Sequence, residues 1–254
     1  MGSFLAGEGK RSVLISLEVP GSGIDFEEIE TGNETIFQSE LEVIGILRDG
    51  EGRALLRFGT PMTNRFTREE VEALRQGGLS FNNRADLQPG DYSVQMLIRD
   101  LNSGRNAMSE KSLHVPEFAP GLQLSSIVLG KEVQPAENQF GFLTYEHSTV
   151  LPSAGRTFKN GENLVYYFEV YNSRLQGEYV HLTAEIRLLR PGLSRPVQLP
   201  EIDINRQPEE GRIRFSRFVQ LNGLLPGTYF FEALVTDHFG NETAVGRTAF
   251  QVVE

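Results

Sequence analysis

The hexapeptide Leu87-Gln88-Pro89-Gly90-Asp91-Tyr92 returns as Leu224-Leu225-Pro226-Gly227-Thr228-Tyr229, and the reading of this pair decides the fold. Carried forward at the same offset of 137 residues, Asp100 meets Asp237, Val115 meets Val252 and Glu117 meets Glu254, with no gap. A constant offset over such a stretch marks an internal repeat. The local physics is the same in both copies. Pro presets φ, Gly gives the backbone freedom at a sharp corner, and Tyr opens a long apolar run. From Tyr92 one face reads Tyr92, Val94, Met96 and Ile98; from Tyr229 it reads Tyr229, Phe231, Ala233 and Val235. Both copies point the same phase inward, as a core between two sheets requires.

Outward from the repeat, strand patterns fill most of the chain. Val13–Val19 is apolar and β-branched. Thr35–Leu47 alternates, breaks at Asp49-Gly50-Glu51-Gly52 and resumes over Ala54–Phe58, which is a hairpin signature. In the second half, Leu122–Val133, Leu164–Tyr171, Tyr179–Leu189, Arg212–Leu221, Tyr229–Thr236 and Ala244–Val253 read as strands, with a long polar stretch before Asn163. The helical candidate is Thr67–Gln76: Thr67 is an N-cap, Glu70 follows three residues on, and Gly77-Gly78 stops it. The Pro-Gly-x-Tyr corner resembles the tyrosine corner of immunoglobulin- and fibronectin-III-like sandwiches. The sequence therefore predicts an all-β protein of two tandem β-sandwich domains of that type. They are 1–117, with a short connector helix near 67–76, and 118–254, joined at the Pro116–Pro120 linker.

Composition narrows the function classes. The chain has 254 residues, 39% of them hydrophobic and 23% charged, which is ample for packed cores. Lys+Arg 24 against Asp+Glu 34 leaves a net charge of −10, which argues against a nucleic-acid binder working by bulk electrostatics. No apolar run reaches the ~18 residues of a membrane span, and the first residues, MGSFLAGEGKRS, show no signal-peptide core. With no Cys there is neither a disulfide nor a thiolate site, and with no Trp the preferred platform for sugar stacking is missing.

Three stretches carry a family resemblance: ELEVIGILRDGEGRALLRF, LQPGDYSVQMLIRDLNSGRNAMSEKSLHVPE and LQLSSIVLGKEV. Together they resemble the C-terminal β-sandwich region of bacterial VWFA-related secreted proteins. The resemblance covers most of residues 12–133 and, more weakly, the repeat in 122–254. The Asp-x-Ser-x-Ser metal motif and alternating α/β pattern of the VWA domain itself do not occur here, so its adhesion site does not carry over. What the resemblance implies is an exported protein of the extracellular space, periplasm or cell envelope, cut from a longer precursor.

Candidate sites are few. Asp100-x-Asn102-x-Gly104 resembles the start of a calcium loop, but the second copy, Asp237-His238-Phe239, does not keep it, and a hairpin turn is the simpler reading. The acidic run Glu18, Asp25, Glu27, Glu28, Glu30, Glu34, Glu40 and Glu42 reads first as solvation, second as a cation patch. The histidines, at 114, 147, 181 and 238, lack metal-ligand spacing. No hydrolase, HExxH or phosphate-loop motif occurs, so no catalytic residue, metal set or cofactor is assigned. Asn33-Glu-Thr and Asn241-Glu-Thr are glycosylation sequons by pattern alone. Tyr167 and Tyr171 share one face of their strand. They are either a platform for sugar or protein, or packing against a neighbouring strand or domain. Leu97 and Leu234 occupy equivalent outward positions of the repeat, with Phe230 beside the second; the cover is either the sister domain, a helix or a partner. The function expected is a non-enzymatic interaction or structural module that binds an envelope or extracellular protein. A carbohydrate-binding module for polysaccharide is the alternative, and an enzyme with an inter-domain site comes third.

Overall fold

The structure, a computed structural model, describes residues 1–6, 9–32, 34–136, 142–192 and 195–254. It is all-β. The strands before the Pro116–Pro120 segment are β1 (Gly2–Leu5), β2 (Arg11–Val19), β3 (Glu27–Thr31), β4 (Glu34–Asp49), β5 (Ala54–Phe66), β6 (Leu79–Leu87), β7 (Gly90–Asp100) and β8 (Asn106–Val115), with helix α1 (Arg68–Gly77) between β5 and β6. After it come β9 (Gln123–Leu124), β10 (Val128–Pro135), β11 (Thr144–Tyr145), β12 (Ser148–Pro152), β13 (Thr157–Lys159), β14 (Asn163–Tyr171), β15 (Val180–Leu189), β16 (Val197–Gln198), β17 (Ile202–Arg206), β18 (Arg212–Gln220), β19 (Gly227–Asp237) and β20 (Glu242–Val253).

Among the described residues these strands form four sheets, and each draws its strands from one side of that segment. A three-stranded sheet β1-β2-β6 faces a five-stranded sheet in which β4 pairs β3, β5 and β7, and β7 pairs β8. Their shared core is Val13, Ile15, Ala85 and Leu87 against Val43, Leu47, Val94, Met96 and Val115. In the second half, the sheet β11-β12-β10-β14-β18 faces β13-β20-β19-β15-β16. Leu164, Tyr166, Phe168, Ile213 and Phe215 interdigitate there with Leu182, Ala184, Ile186, Phe231, Ala233 and Val235. Alternation along each strand sends one set of side chains into these cores.

The repeat is realised as two tyrosine corners. Tyr92 Oη donates to Gln88 O at 2.8 Å and Tyr229 Oη donates to Leu225 O at 3.0 Å, each four residues upstream. Gly90 and Gly227 hold φ of +152° and +144° at the two corners, which residues with a Cβ rarely adopt. The helix forms as the capping signals require: Thr67 accepts from the Glu70 N–H, and the Glu70 carboxylate accepts from the Thr67 N–H.

The polar stretch before Asn163 holds β11, β12 and β13, which are too short to show a period. Leu122–Val133 is split by Ser125-Ser126-Ile127 into β9 and β10. The β1, β3, β16 and β17 pairings are likewise absent from the hydrophobic pattern.

The two middle sheets also pack on each other. Phe4 and Leu14, on the outer face of β1-β2-β6, close on Val128, Leu143, Val150, Val165 and Tyr167. Phe4 meets Phe142 edge-on at 5.1 Å and Tyr167 at 6.0 Å. The molecule is thus a stack of four sheets. The linker is held as well: Arg11 Nε and Nη2 donate to Pro116 O and Glu117 O, and its guanidinium lies 4.6 Å over the Phe118 ring.

Candidate functional site

The junction between the middle sheets is built around one carboxylate. β14 is buried on both faces, with Tyr166, Phe168 and Val170 in the C-terminal core and Val165, Tyr167, Glu169 and Tyr171 turned to the N-terminal half. Glu169 is buried. Tyr167 Oη donates to its Oε1 at 2.6 Å, Tyr171 Oη donates to its Oε2 at 2.5 Å, and Arg212 Nη1 donates to Oε2 at 3.1 Å. Arg214 adds a second cation, its Nε lying 3.7 Å from Oε1, and it also pairs with Glu209 and Glu210. Tyr171 Oη accepts from the Leu5 N–H, and Arg212 donates to Leu5 O, so the cluster fastens β1 to β14 and β18. Burial first, then the Glu169 charge, pushes both phenols well above the usual tyrosine range. A buried charge in this setting needs such partners, and every one is supplied by the chain.

Tyr167 and Tyr171 are therefore not a surface platform. Both are fully enclosed, because Phe4 and Leu14 cover Tyr167 and the Leu5 backbone meets the Tyr171 hydroxyl. This corrects their assignment as partner-facing residues and takes from the carbohydrate reading the residues it stood on.

Leu97, Leu234 and Phe230 lie elsewhere, on the two outermost faces of the stack. Leu97 sits between Ile44 of β4 and Met108 of β8, and Leu234 between Glu185 of β15 and Val245 of β20. Leu97, Phe230 and Leu234 are half-buried, while Met108 is 72% exposed and Val245 59% exposed. Among the described residues neither face is covered by the sister half, whose contact is made through Phe4 and Leu14 instead. Around Leu234 and Phe230 runs a charge ladder: Arg187 pairs with Glu185 and Glu232, and Arg247 pairs with Glu232 and lies over the Phe230 ring.

The calcium-like loop is a hairpin turn. Asp100 Oδ1 accepts from the Asn102 and Ser103 N–H groups, and Oδ2 from Ser103 Oγ and the Asp25 N–H. Asp237 does the same work in the second copy, accepting from Phe239, Gly240 and Arg174 N–H groups. Each Asp thus closes its own turn and ties down a crossing segment. Sequence reasoning saw the equivalence of the two Asp residues and not this use; their matched place in the repeat was the available signal.

The acidic run is dispersed. Glu27, Glu28 and Glu30 are exposed along β3, Glu42 pairs with Arg99, and Glu18 accepts from the Gly155 N–H. Among the described residues no group of three or more His, Asp or Glu is placed to hold a metal ion. His181 and His238 lie with ring centroids 4.4 Å apart, a meeting made by the β15–β19 ladder. Asn33 falls outside the described residues; Asn241 sits in the β19–β20 turn at φ +52°. Among the described residues no helix is long and apolar enough to cross a membrane.

No protein-family model and no curated protein matches the chain. Among solved structures it is similar to a beta-glucuronidase from Bacteroides uniformis, at 12% identity and a TM-score of 0.29, over 95% of this chain and 26% of that one. A Bacteroides uniformis beta-glucuronidase 2 covalently bound to cyclophellitol-6-carboxylate aziridine gives the same values. The chain spans about a quarter of the length of these structures, and at that score the likeness carries no functional argument.

Proposed function

We propose that the protein is a non-enzymatic interaction and spacer module of the cell envelope or extracellular space, engaging a partner protein through the outer faces of its two terminal sheets. One observation carries this reading. Equivalent positions of the repeat, Leu97 and Leu234, place apolar side chains on faces that the described residues leave open, while the junction uses different faces. Apolar sheet faces rimmed by charge are the usual ground for protein contacts. The Glu169 cluster supports a structural role for the interior, since its carboxylate oxygens accept from side chains of the chain itself.

The test is capture from envelope extract on the immobilised protein, with Leu97→Glu and Leu234→Glu variants that retain the wild-type Tm. A single protein held at stoichiometric level and lost in one of the two variants, the one whose face it binds, is the expected result. Equal retention by both variants, or retention of polysaccharide alone, overturns the reading.

A further inference from the structure

The N-terminal sandwich carries a notch in one flank. β5 and β6 are the outer strands of their sheets on that side: β5 pairs with β4 and β6 with β2, and neither has a second partner among the described residues. β1 lies along the other edge of β2, away from this flank. Between β5 and β6 a cavity of about 170 Å³ reaches in to the core. The buried Ile15, Val43 and Met96 line its depth. The half-buried Phe58 and Met62 of β5 and Phe81 of β6 line its sides.

Two residues shape the notch. Phe58 is the cross-strand partner of Gly45, and its ring lies where a Cβ on Gly45 would stand, so the ring rests on β4. Asn83 stands on the inward phase of β6, between Phe81 and Ala85 and opposite Ile15, where the alternation calls for an apolar side chain. A leucine at that position would fill the space. Asn83 brings an amide to the lining instead. Its Oδ1 accepts from the Arg84 N–H at 2.7 Å, and its Nδ2 has no hydrogen-bond partner among the described residues.

We propose that this notch is a binding site for a small neutral aromatic molecule with one hydrogen-bonding substituent, of the phenol type. The ring sits on Val43 and Met96 between Phe58 and Phe81, and Asn83 Nδ2 donates to the substituent oxygen. Three features select this ligand. The volume suits a single ring, since an apolar cavity of about 150 Å³ takes up benzene. Two phenyl groups and two thioethers in the lining favour an aromatic guest over an alkyl one. Among the described residues no charged side chain lines the notch, which disfavours an ionised guest and leaves the Asn83 amide to orient a neutral one. The site lies on the inner side of the sheet whose outer face carries Leu97, and the proposal stands or falls without that face.

The test titrates phenol into the full chain with labelled methionine methyl groups, followed by NMR. Met62 and Met96 should shift saturably at millimolar phenol, while Met1 and Met108, which lie outside the notch, stay in place. Asn83→Ala is expected to weaken phenol about ten-fold and to leave benzene binding as in the wild type, because only the hydroxyl loses a partner. Asn83→Leu, which fills the notch, is expected to abolish binding of both with Tm retained. Benzoate, ionised at neutral pH, should bind more weakly than phenol by about ten-fold or more. No saturable shift at Met62 and Met96, equal loss of phenol and benzene in Asn83→Ala, or phenol binding kept in Asn83→Leu overturns the proposal. So does tighter binding of N-acetyl-tyrosinamide than of phenol, which would assign the notch to a side chain of a partner polypeptide.

Discussion

Glu169 shows how much one side chain holds in place. Its carboxylate is the common acceptor for Tyr167, Tyr171 and Arg212, with Arg214 close by. Replacing it with Gln removes the buried carboxylate nearest Arg212 and leaves Arg214 to its more exposed partners Glu209 and Glu210. Glu169→Gln should destabilise the fold by about 3–5 kcal/mol, read from urea unfolding, because the loss is that of breaking a buried pair. The phenols give a pH signature. Tyr167 and Tyr171 keep their protons above the ordinary value of 10, and Tyr166 on the other face of β14 is pushed up to about 12 by burial. Above pH 10 the unfolded chain therefore binds fewer protons than the folded one, and stability falls as pH rises. Unfolding midpoints should be level up to the start of tyrosine ionisation and drop beyond it, and the drop should shrink in Tyr167→Phe. The alternation of β14 was legible in the sequence, so the shared face of Tyr167 and Tyr171 could be read. That neither face is solvated could not, because the cover of the second face comes from Phe4 and Leu14, far away along the chain.

Among the elements, helix α1 was legible almost to the residue. Its start is written in a capping box and its stop in two glycines, both local signals. Thr67→Ala removes an acceptor from the Glu70 N–H and should cost about 1 kcal/mol, measured by thermal unfolding. The long hairpin of β4 and β5 was equally plain, since both its alternation and its turn are local. Short strands were not. β9, β11, β13 and β16 are two or three residues long, and such strands owe their existence to a neighbour's edge rather than to a pattern of their own. β1 is of that kind: Gly2–Leu5 has too few residues to alternate visibly, yet it carries Phe4 into the junction.

At the scale of the whole molecule, the repeat announced two like halves and said nothing of how they meet. They meet by stacking sheet on sheet, so the halves should unfold as one cooperative unit. Phe4→Ala empties the centre of that contact and should cost about 3–5 kcal/mol. Calorimetry should show the single transition of the wild type dividing into two, because each half keeps its own core. The order of the four sheets also fixes a distance. Packed sheets lie about 10 Å apart, so the outermost pair is separated by roughly 30 Å, with the Leu97 face and the Leu234 face looking in opposite directions. No single compact partner reaches both. The molecule is a ruler: whatever it grips at one end is kept at a set remove from whatever it grips at the other, and copies joined face to face would grow as a column rather than close into a ring.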